Sequence, residues 1–129
     1  MSLKEVPRAE WASALEAFGR EHRAWLASVE HVAADGSRDL SFGERPLAGV
    51  FADRQGSRVV AVRIELAPDS TPATSSLRID DPSAVHLEVE EHDAASGLQI
   101  DDEHGGRTRV RFRVRPPVEM LDGVAPAEL

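Results

Sequence analysis

Cysteine is absent from the 129 residues. That excludes a disulfide framework and a thiolate metal site. Aromatic residues are few, with two tryptophans, four phenylalanines and no tyrosine. A series of aromatics interleaved with basic residues, which base stacking would need, is missing. No apolar run approaches the ~20 residues that cross a bilayer as a helix. Residues 1–7 lack the basic region and apolar stretch of a signal peptide, so the expected compartment is the cytoplasm. An excess of positive charge is lacking too. The net charge is −8, which disfavours attraction to nucleic acid or to an anionic membrane. Neither is expected as a partner.

Familiar catalytic signatures are also missing. There is no Gly-x-Ser-x-Gly elbow and no phosphate-binding glycine loop. Gly105-Gly106 reads as a hairpin turn, and Gly43 and Gly49 stand alone. Asp101-Asp102-Glu103 shares only its charge with a calcium loop. His86, His92 and His104 lie near several acids, but the strand pattern sends His92 and His104 to opposite ends of a sheet. No catalytic residue, metal site or cofactor is expected.

What the chain does have is alternation. Between residues 84 and 115, Val85, Leu87 and Val89 interleave with His86, Glu88 and Glu90. Leu98 and Ile100 interleave with Gln99 and Asp101. Val110, Phe112 and Val114 interleave with Arg109, Arg111, Arg113 and Arg115. Side chains of a strand point alternately to opposite faces, so each run offers one face to a core and one to water. Upstream, Val60, Val62, Ile64 and Leu66 share a face. Asp35-Gly36 and Gln55-Gly56 are turn signals. Gly43 and Pro46 suggest a bulge or an edge position in the extended stretch 38–53. Residues 67–76 carry loop chemistry, Leu77 and Ile79 form a short strand, and Asp81-Pro82-Ser83 breaks it.

The N-terminal segment reads as a helix. Trp11, Ala14, Leu15 and Phe18 fall at i, i+3, i+4 and i+7. Pro7 suits the first turn, and Gly19 is a stop unless the helix runs on to His22. Connections this short favour antiparallel neighbours. The expected fold is therefore α+β, mainly β, in one domain, 1–129. An N-terminal helix, 1–22, packs on a curved antiparallel meander or small barrel of six to seven strands within 24–115. The tail, 116–129, frays.

Register must keep apolar with apolar. Pairing Ile100 with Val110 and Leu98 with Phe112 leaves His104-Gly105-Gly106 as a three-residue loop. The outer face then carries the rows His86–Asp101–Arg109 and Glu88–Gln99–Arg111, with Glu90 aimed at Arg113 across Gly97. Opposite charges across strands contribute roughly 0.2–1 kcal/mol each. The first reading is a solvated ladder that sets register. The functional reading is a binding face for an anionic ligand, peptide or phosphate, built on His86, Asp101, Arg109 and Arg111. His22 and Trp25, at the helix–strand junction, close the core or form the rim of a small-molecule pocket.

Several short motifs run through the chain: Val6-Pro7-Arg8, Trp11 and Phe18, and His22 with Trp25 and Leu26. Further on come Pro46-Leu47 with Gly49, Ile79-Asp80-Asp81-Pro82, Val85 with Leu87, and Val110-Arg111-Phe112. Glu119-Met120 and Asp122-Gly123 complete the set. In these the chain resembles a family of short bacterial proteins grouped only as a domain of unknown function. The resemblance implies a self-contained domain with residues 120–123 ordered, and it supplies no activity.

Three functions follow as expectations. The first is a non-enzymatic binding or protein-interaction module. The second is a small-ligand-binding barrel with its pocket between helix and sheet. The third is a metal-assisted hydrolase using His86 and nearby acids. A homodimer through an open sheet edge is a further expectation, from an apolar strip on Ala48, Val50 and Ala52.

Overall fold

The structure is a computed structural model, described for residues 2–67, 75–89 and 95–112, with 39–44, 75 and 95 described as backbone only. Residues 90–94 and 113–129 lie outside the described residues. With them lie the expectations for Glu90, His92, Arg113, Val114, Arg115 and the tail.

The alternating runs do form strands. Strand β1 is Ser2–Glu5, and a 3-10 turn at Arg8–Glu10 leads into helix α1, Trp11–Glu21. Then follow β2 (Leu26–Val32), β3 (Arg38–Gln55), β4 (Arg58–Leu66) and β5 (Ser75–Asp80). The last three are β6 (Pro82–Val89), β7 (Ala95–Asp102) and β8 (Arg107–Phe112). All pair antiparallel in one sheet, ordered β1-β6-β7-β8-β2-β3-β4-β5.

The sheet is mainly as expected, with an extra strand. Residues 2–5 are strand rather than helix. All four are exposed, so β1 is held by pairing Ser2–Glu5 with Val89–His86 of β6, not by a buried face that periodicity would reveal. Helix α1 passes through Gly19 and stops at His22, whose amide bonds back to the Phe18 carbonyl at 3.1 Å. The stripe is real: Trp11, Leu15 and Phe18 are buried, and Ala14 packs against the same core.

The sheet is rolled but not closed into a barrel. Strands β5 and β6 stand at the last and second places in the sheet order, yet only Asp81 separates them in sequence. The roll that this requires is pinned at Asp81, which turns the corner in the left-handed region (φ 53°). Its amide donates to the Val60 carbonyl at 3.0 Å, and its carbonyl accepts from the Glu103 amide at 2.9 Å. β1 and β5 remain the sheet's two edges.

Inside the roll, Leu15, Leu47, Val62, Ile64, Val85, Leu98, Ile100 and Val110 are at most 1% exposed. Strand β3 serves both halves of the sheet. Its residues 38–46 pair with β2, and its residues 47–55 pair with β4. Pro46 sits at the changeover, where its missing N–H removes no ladder bond from the middle of a run. Gly43 falls where β3 spends four residues, Arg45 to Phe42, against the three of β2 from Ala27 to Val29. The bulge is therefore present, but β3 is an interior strand. The proposed dimer strip is overturned for the same reason. Val50 is 1% exposed and Ala52 packs on the core, so these residues face inward from a strand with neighbours on both sides.

The β2–β3 turn shows what glycine does at such a corner. Gly36 has φ 89°, and a Cβ there would meet nothing within 4 Å. Gly36→Ala should therefore cost only backbone strain, about 1 kcal/mol. A correspondingly small drop in urea midpoint with an unchanged slope would check it.

Candidate functional site

The outward face of β6, β7, β8 and β2 carries the charged rows, in a register two residues from the expected one. Leu98 faces Val110 and Ile100 faces Thr108, while Leu87 faces Leu98 and Val85 faces Ile100. A shift of two keeps every side chain on its face, so the inward set is right and the cross-strand partners are not. The reason lies in the β7–β8 turn. Its three loop residues are Glu103, His104 and Gly105, closed by the Asp102 amide on the Gly106 carbonyl at 3.0 Å. The left-handed position is taken by Gly105 (φ 85°) rather than Gly106.

Asp102 holds that turn. Its Oδ1 accepts from the His104 amide at 2.8 Å and the Gly106 amide at 3.0 Å. Its Oδ2 lies 3.6 Å from His31 Nε2, and only 8% of the side chain is exposed. Burial pushes the Asp102 carboxyl up, but the amides of Gly106 and His104 and the His31 ring outweigh it and hold the group below its ordinary value.

The observed rows are Ala84–Asp101–Arg107–Val32, His86–Gln99–Arg109–Glu30 and Glu88–Gly97–Arg111–Ser28. Each arginine of β8 thus meets a different neighbour. Arg107 Nε donates to Asp101 Oδ1 at 2.8 Å. Arg111 Nη2 donates to Glu88 Oε2 at 3.4 Å. Glu88 crosses over Gly97, where a Cβ would lie 2.7 Å from its Oε1, and it is 3% exposed. The acid expected to reach across that glycine was Glu90, and the register brings Glu88 instead. Arg109 meets Gln99, a neutral residue 3% exposed. Among the described residues it has no carboxylate partner, and its Nε is buried without a hydrogen bond. His86 Nδ1, at the other end of the same short row, is in the same state. Glu30, beside Arg109 on β2, is engaged by Arg38.

Next to Arg109 opens a cleft of about 370 Å³, lined by Val32, Ala33, Asp101, Asp102, Gly105, Gly106, Arg107 and Arg109. Among its four charged residues, Arg107 and Asp101 neutralise each other and Asp102 is committed to the turn and His31. Arg109 carries the charge that is left. Such a cleft suits a small oxyanion, because guanidinium N–H groups match carboxylate or phosphate oxygens.

The expected site residues separate into three places. His86 and Arg109 share a row, and Asp101 and Arg109 share the cleft. Arg111 belongs to the neighbouring row, occupied by Glu88. His86 and Asp101 are not cross-strand partners, since His86 faces Gln99 and Asp101 faces Arg107 and Ala84. Among the described residues, no group of three potential ligands could hold a metal ion. His104 approaches Asp81 instead, at 3.5 Å.

His22 and Trp25 lie elsewhere, in an aromatic cluster. The His22 ring stacks on Phe112 (centroids 4.7 Å, 9° apart) and meets Trp25 edge-on at 4.7 Å. Phe18 stacks on Phe112 at 5.8 Å. His22 Nδ1 is 2.8 Å from the Phe18 carbonyl and the residue is 4% exposed. Among the described residues this corner packs ring on ring, which is the core-closing reading of the two residues.

Arg107, Val32 and Ala33 join the site without being singled out by the sequence. Arg107 had only its place in the alternation as a signal, and Val32 and Ala33 had none. A second charge cluster was also unforeseen. Arg63 and Arg78 sit directly opposite each other on β4 and β5. Asp53 bridges them at 3.0 Å to each, with Glu65 and Asp80 flanking.

Fold and site together define, among the described residues, a small rolled antiparallel sheet backed by an N-terminal helix, with a polar cleft on its outer face. No protein-family model, curated protein or solved structure matches this chain.

Proposed function

We propose that the protein is a non-enzymatic binding domain that takes a small oxyanion, a carboxylate or phosphate, in the cleft beside Arg109. One observation carries this reading: Arg109 and His86 flank a buried glutamine with polar atoms that lack partners among the described residues. Buried polar groups are nearly always satisfied, and of the two it is Arg109 that lines the cleft, so its guanidinium is the group that favours a ligand's oxygens there. The two neighbouring arginines are already neutralised, which concentrates the attraction on one guanidinium. Membership of the bacterial family that the chain resembles rests on the motifs from Val6-Pro7-Arg8 to Val110-Arg111-Phe112. A cytoplasmic location fits the acidic composition, and no helix among the described residues is long and apolar enough to cross a membrane.

Titration with inorganic phosphate and with acetate, followed by amide chemical shifts, tests the reading. Shifts are expected at Val32, Ala33, Arg107 and Arg109, weakening with added salt. Arg109→Gln should reduce affinity about tenfold, the loss of a charge-assisted hydrogen-bonded contact. Unchanged binding in that variant, or no shift at millimolar anion, would sink it.

A further inference from the structure

A second hollow lies on another side of the molecule, between α1 and β3. It arises because two glycines meet. A Cβ on Gly19 would lie 2.6 Å from the Val50 nitrogen and 3.3 Å from the Gly49 carbonyl carbon, so the helix rides directly on strand backbone. Gly49 in turn lies under the Phe51 ring, whose Cζ would be 2.6 Å from a Cβ there. The result is a groove of about 300 Å³ lined by Glu16, Gly19, Arg20, Arg23, Gly49, Val50 and Phe51. Its floor is backbone and Val50, one wall is the Phe51 ring, and the other is the C-terminal half of the helix.

Charge decides what fits. Arg20 and Arg23 are exposed and have no ion-pair partner among the described residues. Glu16, half-buried, stands one helical turn before Arg20. Arg63 sits 5.1 Å from the centroid of the Phe51 ring but is paired with Asp53 and Glu65, so the positive charge at the groove is that of Arg20 and Arg23. A flat apolar body stacks on an aromatic ring in offset or edge geometry, and a single carboxylate reaches one or both guanidinium groups. The volume is at the lower end of small-molecule sites, ~300–1,000 Å³, the size of a compound of one or two rings. Glu16 opposes a second negative charge at the far end.

We infer that this groove binds a monoanionic aryl carboxylate, with Arg20 and Arg23 on the carboxylate and Phe51 against the ring. The site is independent of the Arg109 cleft, and either can fail without the other.

The test uses 2-naphthoate and its neutral analogue 2-naphthamide on the full chain, read by amide chemical shifts. Naphthoate should move Gly19, Gly49, Val50 and Phe51 and leave Arg107 and Arg109 in place. The amide should bind at least about tenfold more weakly, as should naphthoate to the Arg20→Gln/Arg23→Gln variant. Both arginines are exposed, so this variant folds, and amide dispersion like the parent's verifies it. Glu16→Gln should tighten naphthoate binding by removing a like charge, and Arg109→Gln should leave it unchanged. Equal binding of acid and amide, or unchanged binding in the double variant, overturns the inference. So does naphthoate binding that leaves the groove amides unmoved.

Discussion

Gly19→Val should destabilise the protein by about 3 kcal/mol, at the upper end of overpacking costs. A valine Cβ would stand 2.6 Å from the Val50 main-chain nitrogen. That contact is backbone within a paired strand, so it cannot swing aside as a side-chain tip would. The helix must lift from β3, and Trp11, Leu15 and Phe18 lift with it from the shared core. Gly19→Ala separates the two effects. Helix propensity alone would raise stability by about 1 kcal/mol, whereas the close approach should turn the sign to a net loss. Urea denaturation of both variants decides it. If alanine stabilises and valine costs less than about 1 kcal/mol, the helix is not resting on the strand backbone.

Asp102→Ala should lose a comparable amount, about 3 kcal/mol. It strips the acceptor from the amides of His104 and Gly106 and removes the carboxylate beside His31. The Gly106 amide is part-buried and the His104 amide exposed; leaving a buried donor unsatisfied costs ~1–3 kcal/mol, and the two bonds together hold the turn that sets the β7–β8 register. Asp102→Asn keeps an acceptor oxygen for these amides and should recover most of that loss. The pH dependence carries a definite sign. The carboxyl is held below its ordinary value of 3.8 in the fold, so the folded state favours the charged form more than the unfolded chain does. Its contribution is complete at pH values above the unfolded pKa and drains away as the pH falls through 3.8 toward the lower folded value. Stability of the parent between neutral pH and pH 3 should therefore fall more steeply than that of Asp102→Asn. Parallel acid limbs in the two proteins would show that Asp102 is not the group responsible.

Much of the sheet could be read before folding. Val85, Leu98, Ile100 and Val110 announce their inward face by period two, and the helix stripe from Trp11 to Phe18 is equally direct. Gly97 reads only as the residue that an acid crosses, and the acid that lies over it is Glu88. What resisted reading was whatever leaves the pattern unchanged. A slip of two residues between β7 and β8 moves no side chain to the other face, so alternation is blind to it. That slip replaced Asp101 by Gln99 opposite Arg109, and with it turned a neutral ladder into a row with an unneutralised guanidinium. The choice rests on Asp102 and Gly105 in the turn, where Gly105 and Gly106 are equivalent by composition. β1 was illegible for a different reason, since its four exposed residues owe their conformation to the edge of β6.

By itself, then, the order of residues determined a mainly antiparallel sheet with one amphipathic helix, and which side of most strands turns from water. These depend on local periodicity, and burial of apolar surface enforces them wherever one face must be dry. Tertiary structure alone decided how the sheet rolls at Asp81, which charges stand opposite one another, and where the two clefts open. Each of those depends on contacts between residues far apart in the chain, set by a left-handed corner, a capped turn or two facing glycines, none of which the alternation of side chains records.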